Sequence, residues 1–289
     1  MNMRICAFIV SGLLLFLPEI SGKQKPMPFS PMEHSIIQTF KEIRETENDS
    51  LALLMHLRIV EMLEEAMEHP EMYHYPFDSL KTVGSLYAPR KKFRIIQWNH
   101  AFHDGTHRYF ALLIFPSRTY PNSMFRLIDM SDLIERPDKQ TLDTNQWYGA
   151  LYYKILPKKR IKGDIYYTLL GADMNTLDTK KKIIDVLVLK KDGTAQFGAD
   201  DFFELNGWFK NRVIFEYSSA ANMYLGYNVW KRRIEFDHLT PLMPYQVGKF
   251  EYYEPDFYRD GLKFRKKHWK HSKRIHNYEP KSIRRMTPK

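Results

Sequence analysis

Three histidines crowd one short stretch of the chain, His100, His103 and His107, with Asp104 among them. Imidazole nitrogens and a carboxylate are the ligand types of a zinc site. Asp104-Gly105 is also a turn signal, and the runs on either side alternate with period two, so the trio falls around a hairpin turn. Strand alternation then places His103 and His107 on one face and His100 on the other, too few ligands together for zinc. The expectation is polar residues flanking a turn, with no metal and no cofactor; His103 and His107 are the pair that would ligate if one were held. A second group is acidic. Glu216 alternates against Val213, Phe215 and Tyr217, and Glu235 and Asp237 alternate against Ile234 and Phe236, with His238 following. On one sheet face, Glu216, Asp237 and His238 would be catalytic candidates for acid–base hydrolysis. The competing reading is a solvated face balanced by Lys and Arg. Asp173, Asn175 and Asp178 offer oxygen ligands of the calcium type, but the glycine and closing glutamate of an EF-hand are missing, and a turn suits the same residues.

The remaining chemistry is electrostatic. The 289-residue chain carries a formal net charge of +10. From Lys263 to Lys289 there are eleven Lys and Arg against the single acid Glu279, so the preceding residues balance. Aromatic residues, Phe264, Trp269 and Tyr278, are interleaved with the cations. So charged a segment is expected to be a mobile basic tail over residues 263–289. Its polyanion-binding residues are Lys263, Arg265, Lys266, Lys267, Trp269, Lys270, Lys273 and Arg274, and the expected partner is an anionic envelope component rather than a specific nucleic acid. A Gly-rich phosphate loop, H-E-x-x-H, G-x-S-x-G and paired C-x-x-C are all missing, which argues against several common enzyme classes.

The elements that must position these residues change character along the chain. Ser30-Pro31-Met32-Glu33 predicts a helix start, with Ser30 as N-cap and Glu33 closing a capping box. Ile36, Ile37, Phe40 and Ile43 continue at helical spacing. Asn48-Asp49-Ser50 breaks the pattern and caps a second helix, whose predicted apolar stripe is Leu53, Leu57, Val60, Leu63 and Met67. From Phe93 the period becomes two. Strands are predicted over 94–98, 109–115, 124–129, 147–156, 164–171, 182–190, 211–217, 223–227 and 232–238. Short polar connections make these an antiparallel meander. The run from Ile183 to Leu189 is apolar on both faces and predicts a central strand, with the helical hairpin as one possible cover. The fold class is α+β: a helical hairpin over 23–76 after a short linker, an antiparallel β domain over 77–262, and the basic tail.

The N-terminus predicts export. Arg4 precedes an apolar run from Ile5 to Leu17, and Pro18 and Ser21-Gly22 suit cleavage near Lys23, making 1–22 a signal peptide. Thirteen residues fall short of the roughly 20 that span a bilayer, and no span is expected in the cleaved chain. Cys6 is the only cysteine, so the mature chain would contain none and could form no disulfide. Several strands resemble a family of uncharacterised exported proteins of Bacteroidetes. The resemblance is carried by 147–154 (WYGALYYK), 167–171 (YTLLG), 215–217 (FEY) and 236–239 (FDHL), and spans roughly 77 to 260. Ala172 stands where that family has an aromatic residue. The resemblance implies a periplasmic, extracellular or envelope location and brings no activity. The expected function is non-enzymatic binding at the envelope, with an exported hydrolase using Glu216, Asp237 and His238 as the alternative.

Overall fold

A computed structural model describes residues 30–116 and 124–277. The predicted signal peptide and linker (1–29), and the predicted tail beyond residue 277, lie outside the described residues. The chain is an α+β protein in which, among the described residues, two α-helices precede seventeen mostly antiparallel strands. Helix α1 (Ser30–Glu45) and helix α2 (Asp49–Ala66) form the hairpin, and the Asn48 side chain caps α2 by accepting from the Leu51 N–H. Loss of such a cap costs about 1 kcal/mol. Glu33 is drawn inward instead of serving a capping box. Its carboxylate accepts from Tyr75 Oη at 2.6 Å and from the Ser79 amide at 2.9 Å, tying α1 to the segment that leads into the first strand.

The strands form three sheets. The first holds β1 (Gly84–Tyr87), β2 (Arg94–Ala101), β3 (His107–Ile114) and β4 (Met124–Ile128) in sequential order. The second is built on β9 (Thr179–Leu189), flanked by β8 (Asp164–Asp173), β10 (Ala195–Phe197) and β13 (Val213–Ser218). It is completed by β5 (Leu142–Asp143), β6 (Leu151–Ile155) and β7 (Lys159–Ile161). The third runs β12 (Trp208–Lys210), β11 (Phe203–Leu205), β17 (His268–Asn277), β16 (Tyr253–Arg265), β15 (Arg233–Pro241) and β14 (Leu225–Asn228) in spatial order. The β11–β17 pair is parallel, a contact between distant parts of the chain that no meander supplies.

Three apolar clusters stack these layers. The helices cover one face of the first sheet through Ile36, Ile59 and Leu63 against Ile96, Trp98 and Leu112. The other face, with Phe93, Ile95 and Leu113, packs on Tyr167, Leu169 and Leu187 of the second sheet. The far face of the second sheet, with Leu170, Ile184, Val186 and Val213, packs on Leu225, Ile234, Leu262 and Trp269 of the third. Strand β9 is therefore central and apolar on both faces, but its covers are two sheets, and the helices reach only the first. The buried stripe of α2 is also rotated from the predicted one. Ala52, His56, Ile59, Val60, Leu63 and Ala66 face in, while Leu57 is exposed.

The basic tail needs the largest correction. Residues 263–277 are not a mobile appendage: they complete β16 and form β17, hydrogen-bonded along their length to the third sheet. Strand alternation explains the error. Cations at 263, 265 and 270 point outward while Leu262, Phe264 and Trp269 point inward, so a segment with ample charge still buries a full apolar face. The buried indole of Trp269 donates to Thr168 Oγ1 at 2.9 Å, and its amide donates to the Phe202 carbonyl.

Candidate functional site

The third sheet carries the two groupings with chemical potential, one at each end. At one end, β14–β15 turns through residues 229–232 and β16–β17 turns through Lys266-Lys267. The register aligns Asn228 with Arg233, Arg233 with Lys263 and Lys263 with Lys270, so both turns leave the sheet from the same end. Lys263, Arg265, Lys266, Lys267 and Lys270 are all exposed there. Lys263 and Lys270 face each other directly, an arrangement that destabilises an antiparallel pair. Lys270 and His268 reach Glu204, at 3.5 and 3.3 Å, while Arg233 is held by Glu235 at 2.7 Å. Lys263 has no acidic partner within 4.0 Å among the described residues. Lys159 joins the same end with its Nζ 4.6 Å from the Phe264 ring centroid. Burial, and then the charge of Arg232, push its pKa down, as expected where cations crowd.

Of the eight residues expected to bind polyanions, Lys273 and Arg274 lie away from this end, and Trp269 lies in the core. Trp269 acts as an anchor that fixes the hairpin and offers no ring to a ligand.

Towards the other end, Asp260 sits between two histidines. His238 Nδ1 lies 2.8 Å from Asp260 Oδ2, and His271 Nε2 lies 3.2 Å from the same oxygen. The Arg274 amide donates to Asp260 Oδ1 at 2.9 Å. Burial opposes the charge on Asp260, but its contacts with His238, His271 and the Arg274 amide outweigh it and hold the carboxyl well below the usual range. The Asn206 amide donates to His271 Nδ1 at 3.4 Å, which turns Nε2 towards Asp260. His238 uses Nδ1 on Asp260, stacks on Tyr258 at 4.6 Å, and keeps its side chain 27% exposed with Nε2 open. Two irregularities create this geometry. The β15–β16 register shifts between Asp237 and Leu239, and the β16–β17 register shifts between Arg259 and Gly261. Bulges re-aim side chains, and the second one places Arg274 at φ +46 with its amide on Asp260. Gly261 is required beside it, since a Cβ there would meet the Ile234 carbonyl at 2.9 Å.

The sequence candidates Glu216, Asp237 and His238 border one cavity of about 210 Å³ but do not form one group. Glu216 accepts from Thr179 Oγ1 at 2.8 Å and from Asn175 Nδ2 at 3.1 Å. Asp237 is occupied by Arg259 Nε and the Tyr224 amide, both at 2.8 Å. His238 is instead joined to Asp260, which also contacts His271, and sequence reasoning missed both of these residues. Their signal was present as polar residues inside alternating runs, but His271 fell within the segment taken as a tail.

The histidines at the first hairpin are also redistributed. His103 Nδ1 meets Asp49 Oδ1 at 2.8 Å, and His100 Nε2 approaches the same oxygen at 3.5 Å. His107 is opposite, bonded to Asn99 at 2.9 Å. The pair on one side is therefore His100 and His103, because His103 lies in the turn, where strand parity no longer applies. Among the described residues no group of three or more His, Asp or Glu side chains stands close enough together to hold a metal ion. The loop from Asp173 is a turn: Asp173 accepts from Tyr109 Oη and the Asn175 amide, each at 2.7 Å. No helix among the described residues is long and apolar enough to cross a membrane. No protein-family model matches the chain, and neither does any curated protein or any solved structure.

Proposed function

We propose that this is an exported, envelope-associated binding protein that docks on polyanionic surfaces through the basic end of its third sheet. The carrying observation is the directly opposed Lys263–Lys270 pair within a row of exposed cations on a hairpin anchored by Trp269. Glu204 offsets Lys270 alone, so a fold that holds Lys263 opposite it in register gains when an anion neutralises the remaining charge. The export component rests on the apolar run ending at Leu17 and on the resemblance to exported proteins of Bacteroidetes. Deleting the segment would remove Trp269 and unfold the third sheet, so the test substitutes charges instead. Immobilised dextran sulfate should retain the mature chain, and the triple variant Lys263→Ser, Lys267→Ser, Lys270→Ser should elute at clearly lower salt. Coelution of the two proteins would remove the hairpin from the account.

A second reading is favoured by one specific observation: Asp260 orients His238 through Nδ1 and leaves Nε2 open beside a cavity. That is the arrangement of a general base, here acting on water, and the reaction class would be hydrolysis. Asp260→Asn and His238→Ala would each abolish such an activity in a panel of model ester, glycoside and phosphoester substrates. Wild-type protein silent across the panel would leave the dyad as a structural feature.

A further inference from the structure

The basic end carries an apolar feature that polyanion attraction does not use. At the β14–β15 turn, Trp230 is 95% exposed and Val229 beside it is also exposed. Trp230 is the most exposed large apolar side chain among the described residues. The turn is firmly built: the Lys231 amide donates to Asn228 Oδ1 at 2.9 Å, and Arg232 takes the left-handed conformation at φ +49. Trp230 and Val229 together form an exposed apolar tip rimmed by cations, the pattern of an interaction surface rather than of a lone exposed side chain. Lys231 and Arg232 follow immediately, and Lys266-Lys267 project from the neighbouring turn of the same sheet end.

We propose that the partner is a lipid bilayer bearing anionic headgroups, with Val229 and Trp230 inserting at the interface. Lys231, Arg232, Lys266 and Lys267 would then lie on the headgroup phosphates. This rests on the polyanion reading and specifies its partner. Charge complementarity favours any polyanion, but the paired Val229 and Trp230 favour a bilayer. Indole sits at the boundary between headgroup and acyl chain, with an apolar body and a polar N–H. A branched aliphatic side chain such as Val229 gains nothing from a hydrated polysaccharide and has no base-stacking face for a nucleic acid, whereas it gains by leaving water for acyl chains. The cations supply the long-range attraction to an anionic surface, and the apolar pair supplies a contact that salt does not screen.

The test uses the mature chain, vesicles of phosphatidylcholine alone or with one third phosphatidylglycerol, and soluble dextran sulfate as a polyanion without an acyl phase. Binding to the mixed vesicles should persist at a salt concentration that releases dextran sulfate, with a blue shift in tryptophan emission. Trp230→Ala should weaken vesicle binding about tenfold and abolish the shift, leaving dextran sulfate binding unchanged. Trp208→Ala is the control, because Trp208 is 71% exposed but pairs with Leu205 away from the two turns. Equal vesicle binding by wild type and Trp230→Ala would overturn the bilayer assignment while dextran sulfate binding kept the polyanion reading. Failure to bind either probe would overturn both. Equal losses from Trp230→Ala on vesicles and on dextran sulfate would place the indole on a polysaccharide and reject the bilayer.

Discussion

Two aspartates in this protein each face a pair of histidines, and the surroundings separate them. Asp49 begins α2 and meets His100 and His103 with its side chain 32% exposed. Asp260 meets His238 and His271 at 2% exposure, with a backbone amide as third donor. Both carboxyls lie below their ordinary pKa. For Asp49, burial works against charge, and the combined contacts of His103 and His100 prevail. For Asp260, the burial penalty is overcome by His238, the close His271 and the Arg274 amide, and the depression is far greater. The first cluster ties a helix start to a hairpin turn in water, where screening makes such pairs weak. The second holds an ionised group inside a sheet interface, where an unpaired charge would not be tolerated. Residue types alone do not distinguish them; solvent does.

The largest expected effect tests whether the second cluster depends on β17 being docked. Trp269→Ala should cost about 3–5 kcal/mol in denaturant unfolding, since it empties a core position and frees Thr168. It should also release His271 from Asp260, visible as a shifted imidazole resonance, with His103 unchanged. A variant of wild-type stability would restore the tail reading. Asp260→Ala follows at about 3 kcal/mol, because two histidines and the Arg274 amide lose their acceptor. The corresponding pH dependence has a definite sign. A depressed carboxyl stabilises the fold above roughly pH 4, and that contribution is lost as pH falls further. The Asp260→Ala penalty should therefore shrink in acid.

A third prediction concerns His56, which lies beside the Asp49 cluster but is buried. Its Nδ1 accepts from Trp98 Nε1 at 3.1 Å, and its ring lies 5.0 Å from that of His100. Burial, reinforced by the charge of His100, pushes its pKa down to about 3. The unfolded chain takes up this proton first, so stability is unaffected above about pH 6.5 and declines below it. The decline should be about 2 kcal/mol between pH 6.5 and 5, and His56→Gln should flatten it. An identical slope in that variant would assign the acid sensitivity elsewhere. The smallest effect belongs to Asp49→Asn, whose thermal midpoint at neutral pH should match wild type within error. A large loss there would erase the contrast between exposed and buried clusters.

Much of the fold was legible because it is local. Asn48 as helix cap, the change of period at Phe93 and the doubly apolar run to Leu189 each report a short-range pattern, and each corresponds to an observed element. The site was less legible. His238 stood out as a polar residue in an alternating strand, but Asp260 and His271 meet it only through two bulges, which break the parity that sequence reasoning relies on. Glu216 and Asp237 obey parity, but their partners come from elsewhere in the chain, Asn175 from the loop before β9 and Arg259 from β16. Trp269 was obscured by its neighbours, since composition averages over a strand whose two faces have opposite character.

The sequence by itself determined the α+β class, the helical hairpin, the central place of β9 and the concentration of positive charge after Leu262. Periodicity and net charge are additive along the chain and need no partner. Only the tertiary structure decided that those charges lie on a docked hairpin, that the helices cover the first sheet and not β9, and that Asp260 joins two histidines. These depend on strand order, register shifts and the parallel β11–β17 contact. Such features arise when distant segments compete to bury the same apolar faces, and no local pattern records which of them wins.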